Sequence, residues 1–363
     1  MSKPLSAVDC VSPAIAQAKR QLFSPFHLKR WARLALVCLL TGEYAGGGFP
    51  GGGFNIPQSH PRHGRELLVA SNFDWEKILP WLPLILVGVV LLFCLFILLI
   101  YVSSVFRFVL FDSVLYDRCV FKGCWTKWEP CGRSYFYWSL AVLLMFMAGY
   151  ALLIGLPLFV AWRAGLFHHP GEHLAPLILG GIVLFFVLLI FFIAGGVIAL
   201  FAKDFCVPIM ALENVGVMDA WRRLLPMLGM EKMAFTGYVL MKIVLAIAAS
   251  IIAGIASLLL MIILLVPLVI VGVILFIIVK AAGLTLNVGT IAILVALGGI
   301  LMAGLIYLMA LISTPFMVFF QSYVLHFLGS RYRALGEIVF PPAPPPPDAS
   351  PFGQPPLIEP APG

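Results

Sequence analysis

Long uncharged apolar runs constrain this chain more than any other feature of its sequence. Residues 176–202 contain no charged side chain, and at about 1.5 Å of helical rise per residue such a run crosses the roughly 30 Å of hydrocarbon in a bilayer. Comparable runs occupy residues 78–105 and 136–161. Backbone polar groups in lipid must be satisfied within the segment, and these runs do not alternate as barrel strands do. We therefore expect transmembrane helices.

The composition supports this interpretation. The chain is 62% hydrophobic and only 11% charged, whereas a soluble domain is about half apolar and about a quarter charged. A soluble fold with an unusually apolar core would lack the charge to cover its surface. The formal net charge of +7 is therefore interpreted through membrane topology, and no basic patch interleaved with aromatic residues indicates a nucleic-acid partner.

Two more apolar segments follow. The fourth begins near Phe235 and runs past Pro267 to Val279. It is too long for one ordinary crossing, and a proline removes a backbone donor, so we expect a break at Pro267. Residues 268–289 would then form a short crossing or a re-entrant piece. A last span is expected from Thr290 to about Gly329.

Basic residues predict the topology, because they resist translocation and collect in cytoplasmic loops. The polar loops at 106–133 and 203–232 are rich in Arg and Lys, whereas the loop at 162–175 has only Arg163. We expect the first two loops in the cytoplasm and the third outside. The N-terminus leaves two alternatives open: residues 31–56 make a poor crossing, or the N-terminus lies outside.

Residues 216–229 have the pattern of an amphipathic helix. Asp219, Arg222 and Arg223 share one side, and Asp219 can pair with either arginine at i+3 or i+4. The apolar side carries Val217, Met218, Trp221, Leu224, Leu225 and Leu228. Such a helix lies in the membrane interface, with Trp221 at headgroup level and Arg222 and Arg223 near lipid phosphate. It can bind a specific lipid or substrate, or act as an interfacial brace between two spans.

Three segments resemble a family of multi-spanning prokaryotic membrane proteins related to the membrane domain attached to some glycerophosphodiester phosphodiesterases. They are "FSPFHLKRWARLAL" (23–36), "VPIMALENVGVMDAWRRLL" (207–225) and "TPFMVFFQSYVLHFLG" (314–329). The resemblance covers most of residues 22–333, although some family sequences carry Ser where this chain has Trp221 and Arg222. It does not imply phosphodiesterase activity, because the chain has no room for a catalytic barrel of about 250 residues.

Three Phe-rich pieces end the spans at 104–117, 199–213 and 313–327. Either they mark repeated hairpins whose ends all face the cytoplasm, or they reflect the general preference of aromatic residues for interfaces. Small residues within spans permit close helix packing, or helix breaks that line a substrate site. These residues are Gly180–Gly181, Gly195–Gly196, Ser250 with Gly254, and Gly298–Gly299.

Few residues indicate site chemistry. The cluster "HHPGEH" (168–173) has metal-ligand residue types, but its spacing is that of a solvated turn. Cys119, Cys124 and Cys131 do not follow a zinc-site spacing, and the seven scattered cysteines are not a disulfide framework. Lys242 and Lys280 lie in or at the ends of spans, and we expect both to snorkel to an interface. No acid–base pair is expected at mid-membrane. We therefore expect no catalytic residues, no cofactor and no metal.

The fold class predicted is an all-α polytopic transmembrane helical bundle with five to six crossings and interfacial amphipathic helices. Residues 1–77 form a basic and Gly-rich segment with an interfacial helix, 78–333 the transmembrane domain, and 334–363 a Pro-rich disordered tail. The expected location is a cell membrane, as a multi-pass protein of the bacterial inner membrane. The expected partners are the bilayer, anionic lipid and other membrane proteins.

Three functions fit these expectations. A non-enzymatic scaffold or accessory protein that binds lipid or partner membrane proteins is favoured by the lack of buried charge and catalytic motifs. A small-molecule transporter or channel would use the repeats and the Gly and Pro breaks. A membrane-embedded lipid enzyme would need converging acids, for which the cytoplasmic candidates are Asp112, Asp117, Asp204 and Glu213.

The topology is testable by cysteine accessibility. We predict that a cysteine placed at Lys122 or Arg222 in a cysteine-free background stays unlabelled by an impermeant maleimide in intact cells, because both positions lie in basic cytoplasmic loops. Permeabilised cells provide the positive control. Labelling in intact cells would contradict the topology.

Overall fold

The computed structural model describes residues 4–24, 27–42, 82–116, 123–165, 174–281 and 288–341. Within these ranges the helices are α1 (Val11–Phe23), α2 (Leu28–Leu40), α3 (Leu82–Leu115), α4 (Cys124–Arg163), α5 (Leu174–Phe201), a π-helical turn (Ala202–Cys206), α6 (Val207–Glu213), α7 (Val217–Met230), α8 (Lys232–Ala281), α9 (Val288–Gly329) and α10 (Arg333–Val339). The described residues form no strand, so the predicted all-α class is confirmed.

Five described segments are long and apolar enough to cross a membrane. They are Leu82–Leu115, Cys124–Arg163, Leu177–Glu213, Lys232–Ile274 and Val295–Gly329. The most apolar 18-residue stretch of each contains no buried residue in four segments and 6% buried residues in the fifth. The predicted multi-pass membrane architecture is therefore confirmed, and the apolar centres of the spans are surfaces that contact lipid or another membrane protein.

Burial is concentrated where the Phe-rich pieces converge. The core contains the end of α3 (Val105–Val114), the start of α4 (Trp128–Tyr135), the π-turn with α6, the start of α8 (Phe235–Tyr238) and the end of α9 (Met317–Leu328). We call this region the packed end. All three Phe-rich pieces predicted to share one side of the membrane contribute to it, with Phe108, Phe205 and Phe327 fully buried.

The two basic segments at the packed end are more helical than their charge indicated. Most of the predicted loop at 106–133 belongs to α3 and α4, and most of 203–232 belongs to the π-turn, α6 and α7. The apolar residues of these segments are buried in the common core, while charges such as Lys127 and Asp112 pair with each other at 2.9 Å. The helices therefore continue beyond the hydrocarbon.

The N-terminal residues belong to the same core. Gln21 Nε2 donates to the Val114 carbonyl at 2.6 Å, and the Tyr323 hydroxyl donates to the Ala7 carbonyl at 3.0 Å. Thus α1 is attached to the ends of both α3 and α9. Residues 4–24 pack directly on the transmembrane helices, and the predicted domain division at residue 77 stays a prediction.

Helix α2 lies where the spans change from exposed to buried. Its 13 residues extend about 20 Å, which is shorter than the roughly 30 Å needed to cross. Trp31 Nε1 donates to the Leu311 carbonyl at 3.1 Å, and Ser103 Oγ donates to the Thr41 carbonyl at 2.7 Å. Leu311 follows the first described buried residue of α9, and Ser103 precedes the first of α3. Both ends of α2 are therefore attached at the same transition level.

The predicted break at Pro267 was wrong. Helix α8 continues through Pro267 from Lys232 to Ala281. A proline removes one backbone hydrogen bond, but a break would leave several backbone groups without partners in lipid, where each costs several kcal/mol. The continuous helix therefore loses fewer backbone hydrogen bonds than a broken helix would.

The close packing that small residues permit is present within the described chain at one of the predicted sites, and several others face open space. A Cβ on Gly195 would lie 2.7 Å from the Phe146 ring. At Gly180, Gly181, Gly254, Gly298 and Gly299, a Cβ would meet nothing within 4 Å. Among the described glycines of the spans, Gly132 has the closest approach to the backbone of a neighbouring helix, since a Cβ there would lie 2.9 Å from Val105 Cα and 2.6 Å from its Cγ2.

Gly132 provides a test of the α3–α4 contact. We predict that Gly132→Ala destabilises the protein by about 1–3 kcal/mol, because the added methyl group would overlap the Val105 backbone. Gly155→Ala is the matched control, since nothing lies within 4 Å of its Cβ position and alanine favours a helix over glycine. Thermal unfolding in detergent should show a lower Tm for Gly132→Ala alone. Equal Tm values would show that the helices separate easily here.

Candidate functional site

A π-helical turn places an acidic residue inside the packed end. Pro208 follows this turn at the start of α6. A proline cannot donate to the carbonyl four residues earlier, and its ring would clash with that carbonyl, which here belongs to Asp204. The wider turn at Ala202–Cys206 accommodates this lost hydrogen bond. Single π-turns inside helices often occur at functional sites.

The Asp204 carboxylate is the centre of a buried polar cluster. Its Oδ2 accepts a hydrogen bond from the Tyr238 hydroxyl at 2.8 Å and an ion-pair contact from Lys242 Nζ. Tyr238 and Lys242 lie one turn apart on α8, so both reach the same oxygen. The exposed fractions are 3% for Asp204, 0% for Tyr238 and 5% for Lys242. The two charges are thus desolvated and neutralise each other.

Aromatic rings connect this cluster to α9. The Tyr238 ring stacks on Tyr323 with centroids 5.3 Å apart and an angle of 9° between the ring planes. The Phe327 ring lies 4.6 Å from Tyr238 and 6.0 Å from Phe205. Because Tyr323 also bonds Ala7, the cluster joins the N-terminal segment, the π-turn, α8 and α9.

A second ion pair lies at the same end of the molecule. Arg331 Nε donates to Glu231 Oε2 at 2.7 Å, and the Arg331 side chain is only 5% exposed.

Burial raises the pKa of the Cys10 thiol to about 11, although the positive charge of Arg331 opposes the shift. Cys10 therefore stays a neutral thiol near neutral pH and packs as an apolar residue.

The residues predicted to contact lipid headgroups lie on α7, and the predicted amphipathic helix at 216–229 is confirmed as Val217–Met230. Trp221 is half-buried, and its ring lies 6.1 Å from that of Trp138. Tyr137 beside Trp138 is exposed. This concentration of aromatic side chains is typical of a membrane–water interface.

Both arginines of α7 have acidic partners. Arg222 pairs with Asp219 at 3.4 Å, as predicted, and its side chain is 81% exposed. Arg223 pairs with Glu213, which the helical spacing within α7 did not predict. The predicted apolar side is divided: Val217 and Leu224 are buried in the core, whereas Met218 and Leu225 are 63% and 57% exposed.

The acids considered for an enzyme do not converge among the described residues. Asp112 pairs with Lys127, Asp204 with Lys242 and Glu213 with Arg223. Each of these three carboxylates forms an ion pair with a different cation, so the three do not share one site. Asp117 lies outside the described residues.

The described residues contain no group of three or more potential metal ligands. The "HHPGEH" cluster and Cys119 lie outside the described residues. Cys131 is buried and its Sγ contacts Asn214 Oδ1 at 3.3 Å. Cys10, Cys94, Cys131 and Cys206 are free thiols.

The expectation that Lys242 snorkels to an interface was wrong. It turns inward because Asp204 and Tyr238 supply oxygen atoms within the core. The expectation that no acid–base pair lies at mid-membrane stays a prediction, because the Asp204–Lys242 pair lies in the buried ends of two spans. A sequence signal existed, since Asp204 ends one apolar run and Lys242 begins the next on the same side of the membrane.

These features define a polytopic helical membrane protein with one packed end and a buried ion pair within it. The chain belongs to a family of unknown function, DUF7544, whose profile matches residues 5–338. No curated protein and no solved structure matches the chain.

The buried pair predicts a large stability effect. Asp204→Asn alone should cost about 3–5 kcal/mol, because it removes the carboxylate charge that pairs with the buried Lys242 ammonium. Lys242→Met alone should have a similar cost, while the double variant should lose much less than the sum. Tm values of the wild type, the two single variants and the double variant in detergent give the coupling free energy between Asp204 and Lys242.

Arg333→Ala is the control for general effects of removing charge. It breaks an ion pair whose side chains are 83% and 63% exposed, so we expect an unchanged Tm. Additive losses at Asp204 and Lys242 would contradict direct coupling.

Proposed function

We propose that this protein is a non-enzymatic membrane scaffold or accessory protein that binds lipid or partner membrane proteins through the exposed faces of its spans. The observation that carries the proposal is the contrast between the two parts of each span. Tyr323 and Phe327 at the end of α9 are completely buried, whereas Ile300 on the same helix is 70% exposed. Ile190 on α5 and Ile263 on α8 are 67% and 68% exposed.

Exposed apolar faces of this extent offer surface for helix–helix packing in the membrane. Association there depends on van der Waals contact rather than on water exclusion, so available helix faces are the relevant feature. Gly298 and Gly299 add support, since open space surrounds both positions and small residues permit close approach of a partner helix. The packed end would hold the five spans at fixed positions.

The relation to the membrane domain attached to some glycerophosphodiester phosphodiesterases is part of this proposal. A membrane domain that accompanies a catalytic domain fits an accessory role. The bacterial inner membrane is the location we propose, with the packed end in the cytoplasm. Trp221, Arg222 and Arg223 would contact lipid headgroups on that side.

A transporter or channel is the alternative, and the buried Asp204 supports it. Ionisable residues within membrane segments often mark ion or proton pathways, and the π-turn is a site where helix geometry can change. A membrane-embedded lipid enzyme is the second alternative. The separate pairing of Asp112, Asp204 and Glu213 gives it less support.

Photocrosslinking in native membranes tests the scaffold. We predict that a photoreactive side chain at Ile190 or Ile263 yields one discrete protein adduct, identical in mass between preparations, because a partner covers an exposed face. Val324, which is 2% exposed, is the matched control and should yield none. Adducts to lipid alone at every exposed position would argue against a protein partner.

Liposome flux separates the scaffold from the transporter. The scaffold predicts that reconstituted protein leaves proton and small-ion leakage at the level of empty liposomes. Leakage that the wild type supports and the Asp204→Asn/Lys242→Met double variant loses would instead establish a transport pathway through the buried pair.

A further inference from the structure

We propose that anionic phospholipid headgroups bind where α1 ends and α2 begins. Four exposed cations lie near these two helix ends, Lys19 and Arg20 on α1 and Lys29 and Arg33 on α2, and we call this set of residues the α1–α2 corner. This inference deepens the lipid-binding part of the proposed function by giving it a site and a lipid class. It does not require the protein partner.

The described residues of the corner have an excess of positive charge. Besides Arg30, described residues 4–24 and 27–42 hold four Lys or Arg side chains, which are the corner cations, and one acidic residue, Asp9, whose carboxylate contacts Ser6. No carboxylate of the described residues forms an ion pair with any of the four corner cations. A negatively charged group is therefore the complementary ligand.

The arginines of α7 provide the contrast. Arg222 and Arg223 pair with Asp219 and Glu213, so these two cations and two carboxylates have no net charge. A lipid phosphate would have to replace a carboxylate to bind there, whereas the corner cations are available. The stronger anionic-lipid site is thus the corner, and α7 contributes Trp221 as an interfacial anchor.

The α2 side of the corner, with Lys29 and Arg33, lies at the level expected for headgroups. Trp31 is bonded to Leu311 at the exposed-to-buried transition of α9, and the Tyr307 hydroxyl donates to the Ala32 carbonyl at 2.9 Å. Phe23 packs edge-on against Trp31 with ring centroids 5.3 Å apart. Phe23 and Leu28 are 54% and 63% exposed. Exposed apolar side chains beside cations suit the boundary between acyl chains and phosphates.

The size of the effect follows from the charge. Each Lys or Arg near an anionic leaflet contributes about five-fold in binding, and the contribution falls with salt because screening acts over about 8 Å at physiological ionic strength. Changing two corner cations to glutamate should therefore reduce retention of anionic lipid at least about ten-fold.

The test measures bound phosphatidylglycerol and phosphatidylcholine by native mass spectrometry of the full chain released from detergent. The corner variant is Lys29→Glu with Arg33→Glu. The comparison variant is Arg222→Glu with Arg223→Glu, which reverses the same number of charges at the weaker headgroup contact on α7. We expect the wild type to prefer phosphatidylglycerol, the corner variant to lose that preference, and the α7 variant to lose less of it than the corner variant.

Two additional variants separate charge from folding. Lys29→Arg with Arg33→Lys keeps both charges and should retain phosphatidylglycerol. Leu36→Gln changes an exposed residue of α2 without changing charge and should also retain it. Tm values show that each variant is folded. Equal lipid retention by the corner variant and the wild type, or equal loss in the corner and α7 variants, would overturn the assignment.

The ionic strength and the ligand provide further outcomes. Phosphatidylglycerol retention that does not fall between about 50 and 500 mM salt would contradict an electrostatic site. Displacement of the lipid by millimolar inorganic phosphate would show that a soluble anion, not a membrane lipid, is the ligand, and would overturn the proposal. Because purified protein is used, these results are independent of the crosslinking test of the scaffold.

Discussion

The ion pair between Asp204 and Lys242 is the interaction on which the packed end depends. Neither charge could stay buried without the other, because an isolated charge in a medium of low dielectric constant is very costly. The Tyr238 hydroxyl supplies a further hydrogen bond to the carboxylate, and its ring packs on Tyr323. The pair thereby fixes α8 against the π-turn and places α9 beside both. Pro208 contributes by favouring the wider turn that carries Asp204.

The rest of the molecule has two kinds of surroundings, the protein core at the packed end and lipid or another membrane protein at the centres of the spans. At the packed end, helices meet through aromatic and aliphatic side chains and through single polar contacts to the N-terminal residues. Toward the centre of each span, the same helices expose Leu, Ile, Val and Phe, which is stable only in lipid or against another membrane protein. A scaffold uses this arrangement directly, since one rigid region holds several helices whose outer faces stay available.

Two short amphipathic helices at the packed end differ in their balance of charge. Helix α7 balances its arginines with Asp219 and Glu213 and packs Trp221 near Trp138. Helix α2 is fixed by a hydrogen bond from a side chain to a backbone carbonyl at each end and leaves Lys29 and Arg33 exposed. The charges of α7 balance each other whereas α2 is basic, so we expect the two helices to interact differently with an anionic leaflet.

The sequence alone determined the all-α class, the approximate spans and the amphipathic helix at α7, because uncharged run length and helical periodicity are local properties. It also indicated the Asp219–Arg222 contact, which needs only one helical turn. The partners of Lys242 and Arg223 depended on tertiary structure. Asp204 and Lys242 are 38 residues apart and meet only because two spans pack side by side. Likewise, Gly132 lies in close contact with a neighbouring helix, whereas open space surrounds Gly298. The sequence alone does not distinguish these two glycines. The physical reason is that burial and ion pairing depend on which helix faces oppose each other.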